Sequence, residues 1–309
     1  MAEDERQRLL RIRPNLARRA LIFQLVRNFF AGQDFLEVET PLRMPAVAPE
    51  ANIVPFESEG WFLSTSPELH MKRLLAAGYE RLFQLSHCFR RDERGRHHNP
   101  EFTLLEWYRA GGDYRQMISD TEALVMSLVT GLKLKPVIRY QHQDIDLIPP
   151  WPRITVREAF LSAAGWDPVA RSDPLRFDVD LVTRVIPAFP LDRPIVLLDY
   201  PAEMASLARR KLGQPELAER TEVFIAGLEL ANAYSELTRR EEQERRFRAE
   251  IKQIQREQGR KPAMPQSFLE AMSFLPECGG IALGMDRLVM LFCNAGSIDE
   301  VVPFTTDTA

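Results

Sequence analysis

Apolar positions recur with a helical period early in the chain. Ile22, Leu25, Val26, Phe29 and Phe30 make one face, predicting a helix from about Asn15 to Ala31, with Gly32 as its stop. FLEVETP (35–41) alternates and ends at Pro41, the pattern of an edge strand. Pro45, Pro49 and Pro55 mark a loop. WFLST (61–65) is a short strand, and SPELHMKRLLAAG (66–78) a helix from a Ser-Pro start to a glycine stop. RLFQLSHCFR (81–90) and EFTLLEWYRA (101–110) read as strands joined by the polar segment DERGRHHNP, a long hairpin with a charged tip. A helical pattern runs from about Ser119 to Leu132. Residues 133–195 show no clear period, and Pro149, Pro150 and Pro152 interrupt them. VFIAGLELANAY predicts a tight hairpin turning at Ala226-Gly227. Residues 238–260 form a charged, solvent-facing helix. GGIAL is a strand, followed by a helix whose face is Met285, Leu288, Val289 and Phe292. There is no internal repeat. Long hairpins and separate helices favour an antiparallel α+β arrangement over a doubly wound one.

Composition narrows the class. The 309 residues are 45% hydrophobic and 27% charged, which excludes collagen-like, low-complexity and largely disordered chains. No apolar run approaches the roughly 18 residues of a membrane helix, and the charged N-terminus has no signal-peptide core. Cys88, Cys278 and Cys293 lie far apart, so neither a disulfide framework nor a closed zinc site is expected, and a reducing cytoplasm fits. The net charge of −4 lacks the basic excess typical of nucleic-acid binders. Arg6, Arg8, Arg11, Arg13, Arg18 and Arg19 form a local basic cluster, or simply a solvated helix face.

Candidate chemistry concentrates at two hairpins. Arg90, Arg91, Arg94 and Arg96 surround His97, His98 and Asn99. Guanidinium forks match phosphate oxygens, and Phe102 offers a face for a base. The alternative is a solvated turn with ion pairs to Asp92 and Glu93. Glu222 and Glu229 flank the second turn nearly symmetrically. Facing each other they would need a cation between them, such as Mg²⁺ shared with phosphates; otherwise one points to solvent. Asn232, Tyr234 and Glu236 share one face of the strand. Thr65-Ser66-Pro67-Glu68 fits a capping box, which would account for Glu68 without function. Arg287 near a helix N-terminus opposes the dipole, which favours an anionic ligand for it. No nucleophile triad or HExxH pattern is present.

These segments together resemble the class II aminoacyl-tRNA synthetases, in their lysyl branch. FLEVETPLRMP is similar to the first class motif, FRRDERGRHHNPEFTLLEWY to the second and GGIALGMDRLVMLF to the third. LELANAYSEL and LLDYPAEMASLARR are similar to lysyl-branch stretches. The resemblance covers about residue 14 to the C-terminus and is weakest between 133 and 190. It implies one catalytic domain over 1–309, an antiparallel sheet flanked by helices, with no anticodon-binding domain. It also implies a homodimer that uses ATP and Mg²⁺.

The resemblance carries roles onto individual residues. Arg90 and Arg287 are the catalytic arginines, on the α-phosphate with the carboxylate and on the γ-phosphate respectively. Arg91, Asp92, His98 and Asn99 border the nucleotide, Phe102 stacks on adenine, and Leu230 and Gly284 complete the ATP site. Glu222 and Glu229 ligate Mg²⁺. Ser66, Pro67 and Glu68 receive the backbone-side amine, while Glu106, Tyr108, Asn232 and Glu236 shape the distal ammonium end. Asp92 and Asp286 stand where Glu is more usual. Ala282 stands where lysyl enzymes have Gly, and its methyl is expected to narrow the pocket toward a β-amino acid. The free-standing members of this branch modify a lysine of translation elongation factor P. Likeness to them implies (R)-β-lysine or lysine as substrate, elongation factor P as acceptor, and no tRNA. A tRNA or small-amine acceptor, or a non-catalytic regulatory role, are the alternatives.

Overall fold

A computed structural model describes residues 3–309. The fold is mixed α/β with mostly antiparallel sheet flanked by helices, as predicted. The chain forms two compact units. One comprises the residues up to Ala110 with Thr238–Pro276 and Gly284–Ala309; the other comprises Gly111–Leu237 with Glu277–Leu283.

In the first unit the opening helix spans Glu3–Ala31, starting well before Asn15 and containing Pro14. Apolar periodicity marks only its packed half. Its polar first turns are held by long-range bonds instead. Arg8 donates to the carbonyls of Asp299 and Pro303, Asn15 to Glu300, and Arg18 to Phe292. Arg8, Arg18 and Arg19 of the N-terminal cluster therefore serve the fold, Arg19 through Asp286. Phe30 lies at the centre of the core, stacked on Phe83 at 4.8 Å and 5.1 Å from Trp107.

The strand expected over 35–41 is only Leu36–Glu37, paired in parallel with Arg81–Phe89. The long hairpin forms as read. Arg81–Phe89 and Glu101–Ala110 pair without a slip, from Arg81 opposite Arg109 to Phe89 opposite Glu101. Helix Arg240–Gln258 is not wholly solvent-facing: Gln243, Phe247 and Ile254 are buried, and Phe247 meets Phe268 at 6.1 Å.

In the second unit helix Tyr114–Gly131 begins before Ser119, because Asp113 caps it by accepting from the amides of Arg115 and Gln116. Residues 133–195 hold short elements that no periodicity window resolves. They are a hairpin (Val137–Tyr140, Gln143–Asp146), a strand Arg153–Thr155 and two brief helices, Val156–Ala164 and Pro174–Asp180. The strand and the two helices pack into one cluster with Phe160, Trp166, Phe177, Tyr200 and Phe224.

Strands Gln214–Ile225 and Leu228–Ser235 join at Ala226 (φ 51°) and Gly227 (φ 77°), the left-handed pair that matches strand twist in a two-residue turn. Leu228–Ser235 pairs in turn with Cys278–Gly284. Gly279 lets backbones approach there: a β-carbon on it would sit 2.8 Å from the Asp113 carbonyl oxygen. Among the described residues no helix is long and apolar enough to cross a membrane.

Candidate active site

The first unit gathers a carboxylate pair around one buried cation. Pro67 is the N-cap of helix Glu68–Ala76 and no side chain caps it, so the Thr65–Glu68 capping box does not form. Instead Ser66 Oγ accepts from the Glu68 amide (3.0 Å) and donates to Glu106 Oε1 at 2.6 Å. Tyr108 donates its hydroxyl to Glu106 Oε2 at 3.0 Å. Glu106, on the inner face of strand Glu101–Ala110, is 1% exposed. Burial, and after it the Glu68 charge, push its carboxyl up to about 7, against the lowering pull of Ser66 and Tyr108. The Glu68 carboxylate accepts from Lys72 Nζ at 2.5 Å. Lys72 was no sequence candidate. Its signal was present in the Glu68-to-Lys72 spacing of i, i+4, which usually marks a solvent-facing pair.

The hairpin tip in the same unit is partly self-satisfied. Arg90 pairs with Glu93 (3.0 Å), donates to the Thr65 carbonyl (3.3 Å) and lies 5.2 Å over the Phe102 ring. Burial would lower its pKa, but Glu93 and Glu50 outweigh that and raise it. Arg91 and Asp92 pair with each other at an exposed position. Arg94 pairs with Asp307, and Arg96 donates to the Gly296 carbonyl. The ion pairs of the solvated-turn reading thus exist alongside an Arg90–Phe102 arrangement suited to a nucleotide.

Asn99 is committed to the fold. Its amide nitrogen donates to the Glu101 carbonyl, and its oxygen accepts from the backbone and hydroxyl of Thr306. His98 Nε2 lies 2.5 Å from Arg287 Nη2. Partial desolvation, then the Arg287 charge, lower the imidazole pKa, so a neutral ring accepts from the guanidinium. Gly284 is the N-cap of the helix Met285–Cys293 that carries Arg287.

Asp286, beside Arg287, acts as a fastener. Its buried carboxylate accepts from Arg19 at 2.6 Å and from the Thr103 amide at 2.9 Å. Asp286→Ala would leave a half-buried guanidinium and a strand amide unpaired. The expected loss is about 3 kcal/mol of unfolding free energy in urea denaturation. A loss below about 1 kcal/mol would assign Asp286 no structural weight.

The second unit holds the other acidic candidates. Glu222 and Glu229 do not stand directly opposite each other. Glu222 faces Asn232 and Glu229 faces Phe224, because the turn at Ala226-Gly227 lies closer to Glu229 than to Glu222; the register shift between Val223 and Phe224 only moves the partner of Glu222 from Ala231 to Asn232. Both still act on one group: burial first, then Glu222 and later Glu229, raise the Tyr200 phenol well above its ordinary pKa. Glu222 is 5% exposed and takes a bond of 2.7 Å from Arg220. That guanidinium lies 4.5 Å over Tyr200 and 5.9 Å over Tyr234.

Asn232 is placed opposite both Glu222 and Ala282 in register. Leu230 is a core residue at 2% exposure, and Glu236 is buried with its amide bonded to Cys278. Among the described residues no three His, Cys, Asp or Glu side chains make an all-protein metal cage. Mg²⁺ needs no such cage, since it takes one or two carboxylates and leaves its other positions to phosphate oxygens and water; of the two candidates here, Glu222 already accepts from Arg220.

Comparison with known proteins gives the same direction. The family described as tRNA synthetases class II (D, K and N) matches residues 6–308. "Elongation factor P--(R)-beta-lysine ligase" of Salmonella gallinarum is 38% identical over 96% of this chain and 96% of its own length. The proteins of that name from Salmonella paratyphi B and Salmonella schwarzengrund share the same identity and coverage. With residues 6–308 matched, the protein belongs to the class II tRNA synthetases (D, K and N).

Proposed function

We propose that this protein is an ATP-dependent ligase that activates (R)-β-lysine, or lysine, and transfers it to a lysine side chain of elongation factor P in the cytoplasm, working as a homodimer without tRNA. The observation that carries the reading is the buried Glu106–Glu68 pair, dressed by Ser66 and Tyr108. Two carboxylates held out of water with one cation suit a ligand bearing ammonium groups. The matched ligases, similar across 96% of both chains, supply the acceptor.

In the first step a carboxylate oxygen of the amino acid attacks the α-phosphorus of ATP. The new bond is a mixed anhydride; the α–β phosphoanhydride bond breaks and pyrophosphate leaves with its electrons. Arg90 would bind the α-phosphate and Arg287 the γ-phosphate, placing charge where it develops. Phe102 would hold the adenine ring, and Glu68 and Glu106 the amine groups. Mg²⁺ on Glu222 and Glu229 would neutralise phosphate charge. In the second step a neutral ε-amine attacks the acyl carbon, AMP leaves, and the amine proton goes to solvent. No protein nucleophile is needed, so positioning does most of the work.

Incubation with Mg-ATP, elongation factor P and either amino acid, followed by intact-mass spectrometry, tests this. One lysyl-sized addition on the factor is expected, larger in yield with (R)-β-lysine, and no charging of tRNA assayed in parallel. Pyrophosphate exchange with an unmodified factor would refute the acceptor and keep the activation chemistry.

A further inference from the structure

Lys72 is among the most deeply buried side chains of the protein, at 1% exposure. An ammonium so far from water is costly unless paired. Its partner is Glu68, whose side chain keeps 12% exposure, so the cation lies deeper than the anion it serves. A helix pair that merely supports the helix shows the opposite arrangement, with both charges in solvent. The second neighbour of Lys72 is the Tyr108 ring, its centroid 6.0 Å from Nζ. That ring is set by the bond from its hydroxyl to Glu106. Ser66 joins the same group, taking the Glu68 amide and giving its proton to Glu106. Lys72 therefore bonds one carboxylate of the amine cluster directly and lies near the ring whose hydroxyl bonds the other.

We propose that Lys72 is a positioning residue for amine recognition: its buried ammonium fixes the Glu68 carboxylate in one orientation, as acceptor for the backbone-side amine of the substrate. This rests on the reading of the site as one for a lysine-like amino acid. The chemistry follows from the pair of carboxylates. Glu68 and Glu106 repel when both are charged, and one of them must then take a proton or turn away. Lys72 bonds Glu68 through Oε1, which keeps that carboxylate from turning and leaves its second oxygen to accept. Binding is then selective for the position of the amine, because the acceptor cannot follow a displaced donor.

The test is a double-mutant cycle. Wild type, Lys72→Met, Glu68→Gln and the double variant are compared by calorimetric titration with lysine and (R)-β-lysine. ATP–pyrophosphate exchange then gives separate KM values for the amino acid and for ATP. In Lys72→Met the amino-acid KM is expected to rise at least about tenfold, with the ATP KM changed less than about twofold. Because Lys72 acts through Glu68, the double variant is expected to match Glu68→Gln within about twofold. Parallel rises in both KM values would mean a structural role only and overturn the proposal; so would additive losses in the double variant. If Lys72→Met does not fold, Glu68→Gln against the double variant decides alone, since the double variant buries no unpaired charge. Normal wild-type activation with an unchanged Lys72→Met refutes the role of Lys72 and spares the function. A wild type that neither binds nor activates either amino acid refutes both.

Discussion

Replacing Arg90 by alanine is expected to lower lysine-dependent pyrophosphate exchange by about 10²- to 10³-fold while barely moving the unfolding midpoint. The two halves of that expectation come from different features of one side chain. Arg90 is 24% exposed and its carboxylate partner Glu93 is 35% exposed. Released from the pair, Glu93 is hydrated by solvent, so the ion pair contributes only about 0–1 kcal/mol to folding. Its packing over Phe102 at 5.2 Å adds about as much again. In the reaction, by contrast, the guanidinium would face charge growing on the α-phosphate, where nothing substitutes for it. Arg90→Lys is not expected to rescue, because an ammonium lacks the planar fork. Exchange kinetics and thermal unfolding on the same preparation check both halves. A loss below about fivefold would remove Arg90 from the catalytic step.

What the chain discloses before folding depends on how far apart the cooperating residues lie. The hairpin 81–110 was legible because two long strands of strong β-formers flank one polar tip. The turn at Ala226-Gly227 was legible because its geometry needs left-handed residues. The first helix was read short because its opening turns are held by side chains reaching the Asp299–Pro303 region, a partner no local window contains. Residues 133–195 defeated periodicity because their elements are a few residues long, and most of their apolar residues find partners only in the Phe160–Trp166–Phe177 cluster.

The site divides the same way. Arg90, Glu106 and Arg287 became candidates through resemblance along whole motifs. The capping box at Thr65 and the opposed Glu222–Glu229 pair were local rules overruled by context. Ser66 draws the Glu68 amide away from Thr65, and the Ala226-Gly227 turn lies nearer Glu229 than Glu222, so Glu229 pairs with Phe224 and Glu222 with Asn232. Lys72 was hidden because spacing reports which residues are neighbours on a helix and not which of them is out of water.

Glu106→Gln is expected to separate stability from function in opposite directions. In the folded protein the Glu106 carboxyl titrates near about 7, against an ordinary value of 4.5. At pH 4 both folded and unfolded chains hold the proton. Between pH 4.5 and about 7 the unfolded chain releases it and the folded chain keeps it, so the folded state binds more protons and stability falls as pH rises. Above that window the full deficit of about 3 kcal/mol is in place. A glutamine cannot ionise and escapes it. Its amide still accepts from one hydroxyl and donates to the other, Ser66 and Tyr108 both being able to reverse roles. At pH 8 the variant should therefore be more stable than wild type by about 1–3 kcal/mol, after about 1 kcal/mol for imperfect bonds. At pH 4 it should be equal or slightly weaker. Activity should move the other way. An ammonium entering the cluster needs a charged acceptor, and its loss is expected to lower kcat/KM for lysine about 100-fold. Wild-type affinity for lysine should rise with pH through about 7, as the ligand expels the proton from Glu106, and the variant should lose that dependence. Urea denaturation from pH 4 to 8, with calorimetric titration of lysine at each pH, reads both effects. A variant whose stability parallels wild type across the range would mean that Glu106 titrates alike in the folded and unfolded chains. The carboxylate would then be ionised at neutral pH with or without substrate, a standing counter-ion to Arg90, and not a group that exchanges its proton for the substrate's charge.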